Sequence, residues 1–215
     1  MPASKFYHYF NRVRGQIIPG THRMQKLLGQ DLVLLTEFKT ILVTGSNGKG
    51  STCAFLESIL KAHGYKTGLY TSPHFVHPNE RVRLNGEPVS EDLLLEKLNI
   101  FEQKAKHDLP DASFFEIFTA AAFEIFIDSK IDFLVCEVGL GGCFDSTNVV
   151  APLISVLTSV SLEHTEFLGA DLYSIAKDKS FISRRNKSFV VASELQEEAL
   201  KGVRDTVSQI GACLF

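Results

Sequence analysis

Three features of the sequence predict an α/β fold with a mostly parallel sheet and helices on both faces. Short apolar, β-branched runs alternate with longer amphipathic ones. The first clear run, Thr40–Thr44, ends in a glycine-rich turn that carries a lysine and opens at once into a helical pattern. No internal repeat, low-complexity tract or Pro/Gly-rich linker breaks the alternation.

Each element follows from a local signal. Thr40–Thr44 (TILVT) is a buried strand stopped by Gly45. Lys49–His63 places Cys53, Phe55, Leu56, Ile59 and Leu60 at helical spacing and stops at Gly64. Thr67–Thr71 is a second strand. Arg81–Leu84 alternates charged and apolar residues ahead of the turn pair Asn85-Gly86, a hairpin signal. Ser90, backed by Glu91 and Asp92, starts a helix to about Lys106. Ser113–Asp128 is a helix with an apolar face, rich in Phe and read chiefly as core. Phe133–Cys136 and Leu153–Leu157 are strands, Ala170–Ile182 a helix, Ser188–Ala192 a strand and Glu194–Ile210 a helix; Cys213–Phe215 begins one more strand. Ligands of such sheets bind beyond the carboxyl ends of the strands, so chemistry is expected just after Thr44, Thr71, Cys136 and Leu157.

Composition narrows the class. The chain has 215 residues, 45% hydrophobic and 22% charged, enough to bury a substantial core and incompatible with disorder or a collagen-like structure. A formal charge of -3 gives no electrostatic reason to expect nucleic acid or an anionic membrane as partner. No apolar run reaches the roughly 18 residues of a spanning helix. Met1–Arg14 lacks an apolar signal core, so a cytoplasmic location is expected. Cys53, Cys136, Cys143 and Cys213 contain no C-x-x-C pair, which argues against a metal knuckle, a thioredoxin-like site or a disulfide framework.

The residues that could carry chemistry sit where the topology puts them. Gly45-Ser46-Asn47-Gly48-Lys49-Gly50-Ser51 lies between a strand and a helix. Its glycines let backbone N–H groups turn around phosphate oxygens, the helix adds its positive end, Lys49 reaches β/γ-phosphates and Ser51 offers a hydroxyl to Mg²⁺. It is a variant of the general phosphate loop: Val43 stands where that pattern begins with glycine, and Gly50 separates Lys49 from the hydroxyl residue. Glu137 ends an apolar strand and precedes Gly139, Gly141 and Gly142; a carboxylate there holds Mg²⁺ directly or through water, or is simply solvated. His164, after Leu153–Leu157, either ligates a metal or orients a carboxylate. Ser72 either ligates Mg²⁺ or caps a loop. Arg81 and Arg83 share one face of the hairpin and contact an anionic substrate or solvent. Lys177 and Lys179 fall on a helix read as a surface one. Phe114, Phe115 and Phe118 form core or a platform for a flat ring.

Taken in order, Val43–Ser51, Thr71-Ser72-Pro73-His74, Glu80–Gly86, Phe115-Glu116, Glu137–Gly142 and Glu163-His164-Thr165 resemble the folylpolyglutamate synthase/dihydrofolate synthase family of the Mur ligase superfamily, from about Pro19 to the end. The resemblance implies a P-loop NTPase-like sheet of the Mur ligase central-domain type. It also implies an ATP-dependent amide ligase that activates a dihydropteroate or reduced-folate carboxylate as an acyl phosphate and transfers it to L-glutamate. On that reading Asn47, Gly48, Lys49, Gly50 and Ser51 hold ATP, and Ser51, Ser72, Glu137 and His164 serve Mg²⁺. Lys49, Glu137, His164 and Lys179 are the catalytic set, Lys179 matching a lysine that the family carbamylates. The pterin would lie near Gln16–Pro19, Ser113, Phe114, Phe115 and Glu116, and Phe144, Asp145 and Ser146. The sequence departs from the family at Gly142-Cys143-Phe144-Asp145, where a basic residue is replaced, at Glu163 for the usual Asp, and at Ser180-Phe181. Residues 1–215 correspond to the family's N-terminal ATP-binding domain, incomplete and without the C-terminal glutamate-binding domain. The family suggests a monomer. An open sheet near Phe215 would favour self-association. The alternative reading is a non-catalytic nucleotide-binding remnant.

Overall fold

The computed structural model describes Phe6, Tyr9 and residues 20–215; the expectation for Gln16–Pro19 lies outside them. The described elements begin with α1 (His22–Leu28), α2 (Asp31–Leu34), β1 (Lys39–Thr44), α3 (Lys49–Ala62) and β2 (Thr67–Tyr70). A 3-10 turn, Pro78–Arg81, leads to β3 (Val82–Leu84) and β4 (Glu87–Pro88), then α4 (Glu91–Asp108), α5 (Phe114–Asp128) and β5 (Phe133–Glu137). A second 3-10 turn, Ser146–Val149, precedes β6 (Pro152–Leu157), α6 (Thr165–Leu168), α7 (Leu172–Ser180), β7 (Ser188–Val191), α8 (Glu197–Ile210) and β8 (Cys213–Leu214).

The strands form one sheet in the order β4-β3-β2-β5-β1-β6-β7-β8. Every pairing from β2 through β5, β1, β6 and β7 to β8 is parallel, and β3 and β4 add an antiparallel edge. Alternation along the central strands sorts the core between two faces. Leu42, Tyr70, Leu134, Cys136 and Leu157 join the large core under α1, α4, α5, α7 and α8. Ile41, Val43, Leu69 and Val135 meet Cys53 of α3 on the other face. The register matters for function. Val43 lies beside both Glu137 and Val156, so β1, β5 and β6 end at one level and their loops converge. Helix starts were readable: Ser90 and Ser113 each accept the third helical N–H, and Glu116 closes a capping box on Ser113.

Arg81 falls in the 3-10 turn rather than in the hairpin strand, because Glu80 draws the preceding loop into a turn. The helices at 22–34 and 165–168 carry no strong periodic signal and were not anticipated. No described helix is long and apolar enough to cross a membrane. At the β8 end Phe215 is 71% exposed and Val190 41%, a far more apolar edge than Glu87–Pro88 at the other side.

The segment after α7 is fastened by one guanidinium. Arg184 donates to the carbonyl oxygens of Phe181, Ile182, Ser183, Asn148 and Val150 and to Asn148 Oδ1. Replacement by Ala leaves these half-buried acceptors unmatched and is expected to cost about 3 kcal/mol. Urea denaturation checks this, with Arg184→Lys recovering only part because an ammonium cannot span two planes of acceptors.

Candidate active site

The turn after β1 is held open from one side by hydroxyl groups. Thr158 Oγ1 donates to Asn47 O at 2.6 Å, Ser159 Oγ to the same oxygen at 3.0 Å, and Asn47 N–H donates to Ser159 Oγ at 2.8 Å. Ser46 N–H donates to Ser159 O at 3.0 Å. A Cβ on Gly45 would stand 2.0 Å from Thr158 Oγ1, so only glycine allows this approach. Gly48 turns through φ +82° into α3. Lys49 Nζ lies back over the turn and donates to Gly45 O at 2.8 Å.

A polar cavity of about 30 Å³ opens beside this turn, lined by Thr44, Gly45, Lys49, Val138, Gly139, Leu140, Gly141, Glu163, His164 and Lys179. Thr44 Oγ1 donates to Gly141 O at 2.6 Å and ties the two glycine loops together. Lys179, read from spacing as a surface residue, is 1% exposed. Helix α7 packs its last turn directly on Gly142, where a Cβ would meet Lys179 O at 2.7 Å. Lys179 Nζ lies 2.8 Å from Glu163 Oε1. Burial pushes the Lys179 ammonium below its ordinary pKa, and Lys49 adds repulsion, while Glu163 works against both. Burial raises the Glu163 carboxyl, but Lys179, Ser46 and Lys49 together bring it below the usual carboxylate range. His164 is an exposed residue at the rim, in the left-handed region at φ 44°.

Glu137 occupies the next position along the same edge. It is 4% exposed, and its Oε2 accepts the Ser72 N–H at 2.9 Å. Its oxygens lie 3.6 and 3.7 Å from the place of a Gly50 Cβ, at the first turn of α3. Burial raises the Glu137 pKa, opposed by the Ser72 N–H, Lys49 and Arg81. Glu137 thus meets the backbone of Ser72 and the first turn of α3, the turn that carries Ser51, so a carboxylate and two hydroxyl-bearing residues fall in one neighbourhood. Among the described residues no group of three or more His, Cys, Asp or Glu could hold a metal alone. That combination suits Mg²⁺ carried in on phosphate oxygens.

A third group lies beyond Glu137. Arg81, expected at a solvated strand face, is 8% exposed. Its Nε donates to His74 Nδ1 at 2.9 Å, and its guanidinium stands 5.8 Å and 5.4 Å from the Phe114 and Phe118 ring centroids. Burial, then Arg81, depresses the His74 pKa, consistent with an imidazole that accepts. Phe115 packs against Gly139, where a Cβ would meet its Cζ at 2.5 Å. The Glu116 carboxylate is buried and engaged by Arg23 and Ser113. Asp145 is buried and accepts from Leu140 N–H, Thr147 N–H and the Thr147 hydroxyl, so both carboxylates are engaged by neighbouring protein groups. Ser113 and Phe114 are half-buried, Ser146 is buried, and Phe144 is 58% exposed on its turn. Thr158 and Ser159 escaped sequence reasoning; the signal was a run of hydroxyl residues at the end of an apolar strand.

The Mur ligase middle domain model matches residues 43–208. The dihydrofolate synthase/folylpolyglutamate synthase of Escherichia coli (strain K12) is 36% identical over 214 residues, covering 99% of this chain and 50% of that protein. The solved E. coli FolC in complex with DHPP and ADP superposes with a TM-score of 0.85 at 36% identity, covering 96% of this chain and 49% of that one. The bifunctional enzyme of Yersinia pestis complexed with AMPPNP and Mn ion gives 0.86 at 34% identity, covering 97% and 50%. The chain thus spans about half the length of these relatives.

The loop after β2 gives a pH prediction. Glu80 accepts the N–H groups of Phe75, Val76 and His77, which hold its pKa below 4.5. A depressed carboxyl supports the loop above its unfolded pKa and loses that support as pH falls through the folded one. Amide exchange at Phe75, Val76 and His77, corrected for intrinsic rates, should stay flat above pH 4.5 and accelerate below it.

Proposed function

This chain belongs to the Mur ligase family, whose middle-domain model it matches over residues 43–208, and from that premise we propose that it is the ATP-binding part of a ligase. The ligase joins L-glutamate to the carboxylate of dihydropteroate or a reduced folate. The observation that carries this reading is the meeting of Lys49 with Glu163, His164, Lys179 and the glycine wall 139–141 around one cavity. Two lysines beside a glycine-rich strand-to-helix turn suit phosphate oxygens. On this reading residues 1–215 are the ATP-binding domain, and the family's glutamate-binding domain falls in the other half of the relatives' length.

The reaction follows from charge. A carboxylate is a poor acyl donor, so its oxygen first attacks the γ-phosphorus of ATP and ADP leaves. The amine of glutamate then attacks the acyl carbon; phosphate departs and the nitrogen gives up a proton. Lys49 is placed to leave its carbonyl partners for the phosphoryl oxygens, a charge-assisted exchange for neutral bonds. Mg²⁺, when bound, spreads the negative charge of the phosphates, with Glu137, Ser51, Ser72 and His164 as the residues that would serve it. Asn47 to Gly50 supply the turn and the helix start. Arg81, stacked over Phe114, offers a cation to an anionic acceptor. Lys179, buried and with its pKa drawn below the ordinary lysine value, is the residue that would carry the carbamate: its amine, once it has lost a proton, adds CO₂ at nitrogen.

Phosphate release with MgATP, L-glutamate and either dihydropteroate or tetrahydrofolate tests the reading. It should require all three substrates, stop on removal of Mg²⁺ with EDTA, and fall about 100- to 1000-fold in Lys49→Ala. Nucleotide binding without release in the presence of both other substrates would replace the ligase by the non-catalytic nucleotide binder.

A further inference from the structure

Helix α1 lies ahead of the stretch that the family model covers, yet one of its side chains reaches the first turn of α5. Arg23 Nε donates to Glu116 Oε1 at 2.7 Å, and the two side chains are only 7% and 5% exposed. Glu116 Oε2 accepts the Ser113 N–H at 2.8 Å and the Ser113 hydroxyl at 2.9 Å. Donors from two elements therefore fix the carboxylate in one orientation. The carboxylate in turn fixes the first turn of α5, which carries Phe114 and Phe115. Phe114 meets Arg81, and Phe115 meets Gly139 of the cavity wall.

Adhesion alone does not account for this pair. Desolvation offsets much of the attraction in a buried ion pair, and apolar side chains of similar volume often serve as well. Helix α1 already buries Met24, Leu27 and Leu28 completely or nearly so. What the pair adds is direction: it sets where α1 sits along α5, which apolar contacts leave free to slide.

We infer that Arg23 is a positioning residue that acts through Glu116 to hold Phe114 against Arg81 and Phe115 against Gly139 of the cavity wall, the surface on which a substrate ring would lie. Two phenyl rings with a guanidinium over one of them suit a flat aromatic ring bearing an anionic end. That choice of ligand rests on the proposed ligase reading; the positioning itself does not.

The chain contains no tryptophan, so Phe114→Trp places a single reporter on the wall. Adding Arg23→Met to that protein should red-shift its emission and raise its acrylamide quenching constant at least two-fold, with Arg23→Lys between. Unchanged emission and quenching in a folded double variant, judged by far-UV circular dichroism, overturn the proposal. Should Arg23→Met not fold, Arg23→Lys and Glu116→Gln decide it by the same readout: a shift in either supports it, and no change in both overturns it. In calorimetric titrations of the chain that keeps Phe114, Arg23→Met should weaken dihydropteroate affinity at least ten-fold while nucleotide affinity stays within two-fold. Equal loss of both would mean general destabilisation and would also overturn it. If the chain with Phe114 and Arg23 both intact binds neither ligand by calorimetry, the ligase reading fails, and the ligand-free tryptophan signal of the reporter protein still decides the positioning.

Discussion

The site depends on how closely the end of β1 can approach the end of β6. Gly45 makes the approach possible, and the hydroxyls of Thr158 and Ser159 use it to hold the carbonyl oxygens of Thr44 and Asn47. A turn whose carbonyls are held on one side presents its remaining N–H groups on the other. The N–H groups of the first turn of α3 have no carbonyl partner within the helix, so they point the same way. This explains why the phosphate turn tolerates Val43 where the general pattern begins with glycine. Val43 is a buried strand residue here, and the close approach has moved to Gly45. The parallel register of β5, β1 and β6 then brings the Glu137 loop and the Glu163-His164 loop to the same level.

The fold was largely legible because its signals are local. Strands β1, β5 and β6 are apolar runs with sharp ends, and Ser90, Ser113 and Gly64 mark helix boundaries that the backbone obeys. The site was legible where a motif names the chemistry, as at Lys49 and Glu137. It was not legible where a role depends on burial. Lys179 and Arg81 lie in stretches whose polar composition reads as surface, and only the packing of α7 on Gly142 and of α5 on the 3-10 turn takes them out of water. The family resemblance placed Glu116 and Asp145 near the substrate, and no local signal tells that both carboxylates are enclosed by their own neighbours.

These buried charges share a logic. Each is held by a fixed partner, and each partner belongs to a different element: Arg23 with Glu116, Lys179 with Glu163, Arg81 with His74. An unpaired charge at such depth would be strongly destabilising, whereas a paired one fixes a distance between elements. The pairs therefore act as spacers between elements, and the Lys179–Glu163 pair does so in the cavity wall. They set the separation of α1 from α5, of α7 from the β6 loop, and of the 3-10 turn from the β2 loop.

The balance of charge within the cavity follows from the same arrangement. Two ammonium groups, Lys49 and Lys179, share it with one carboxylate, Glu163, which interacts with both. Glu163 keeps Lys179 tightly bound at 2.8 Å, while Lys49 holds only the neutral carbonyl oxygens of its own turn. An entering phosphate can therefore draw Lys49 away without breaking an ion pair, and gains a charge-assisted bond in exchange for neutral ones. The same phosphate could recruit Lys179 only by stripping Glu163 of its partner in a place with little water. The geometry thus sets the two lysines apart: Lys49 holds only neutral carbonyl oxygens of its own turn, and Lys179 ties the β6 loop to α7 through Glu163.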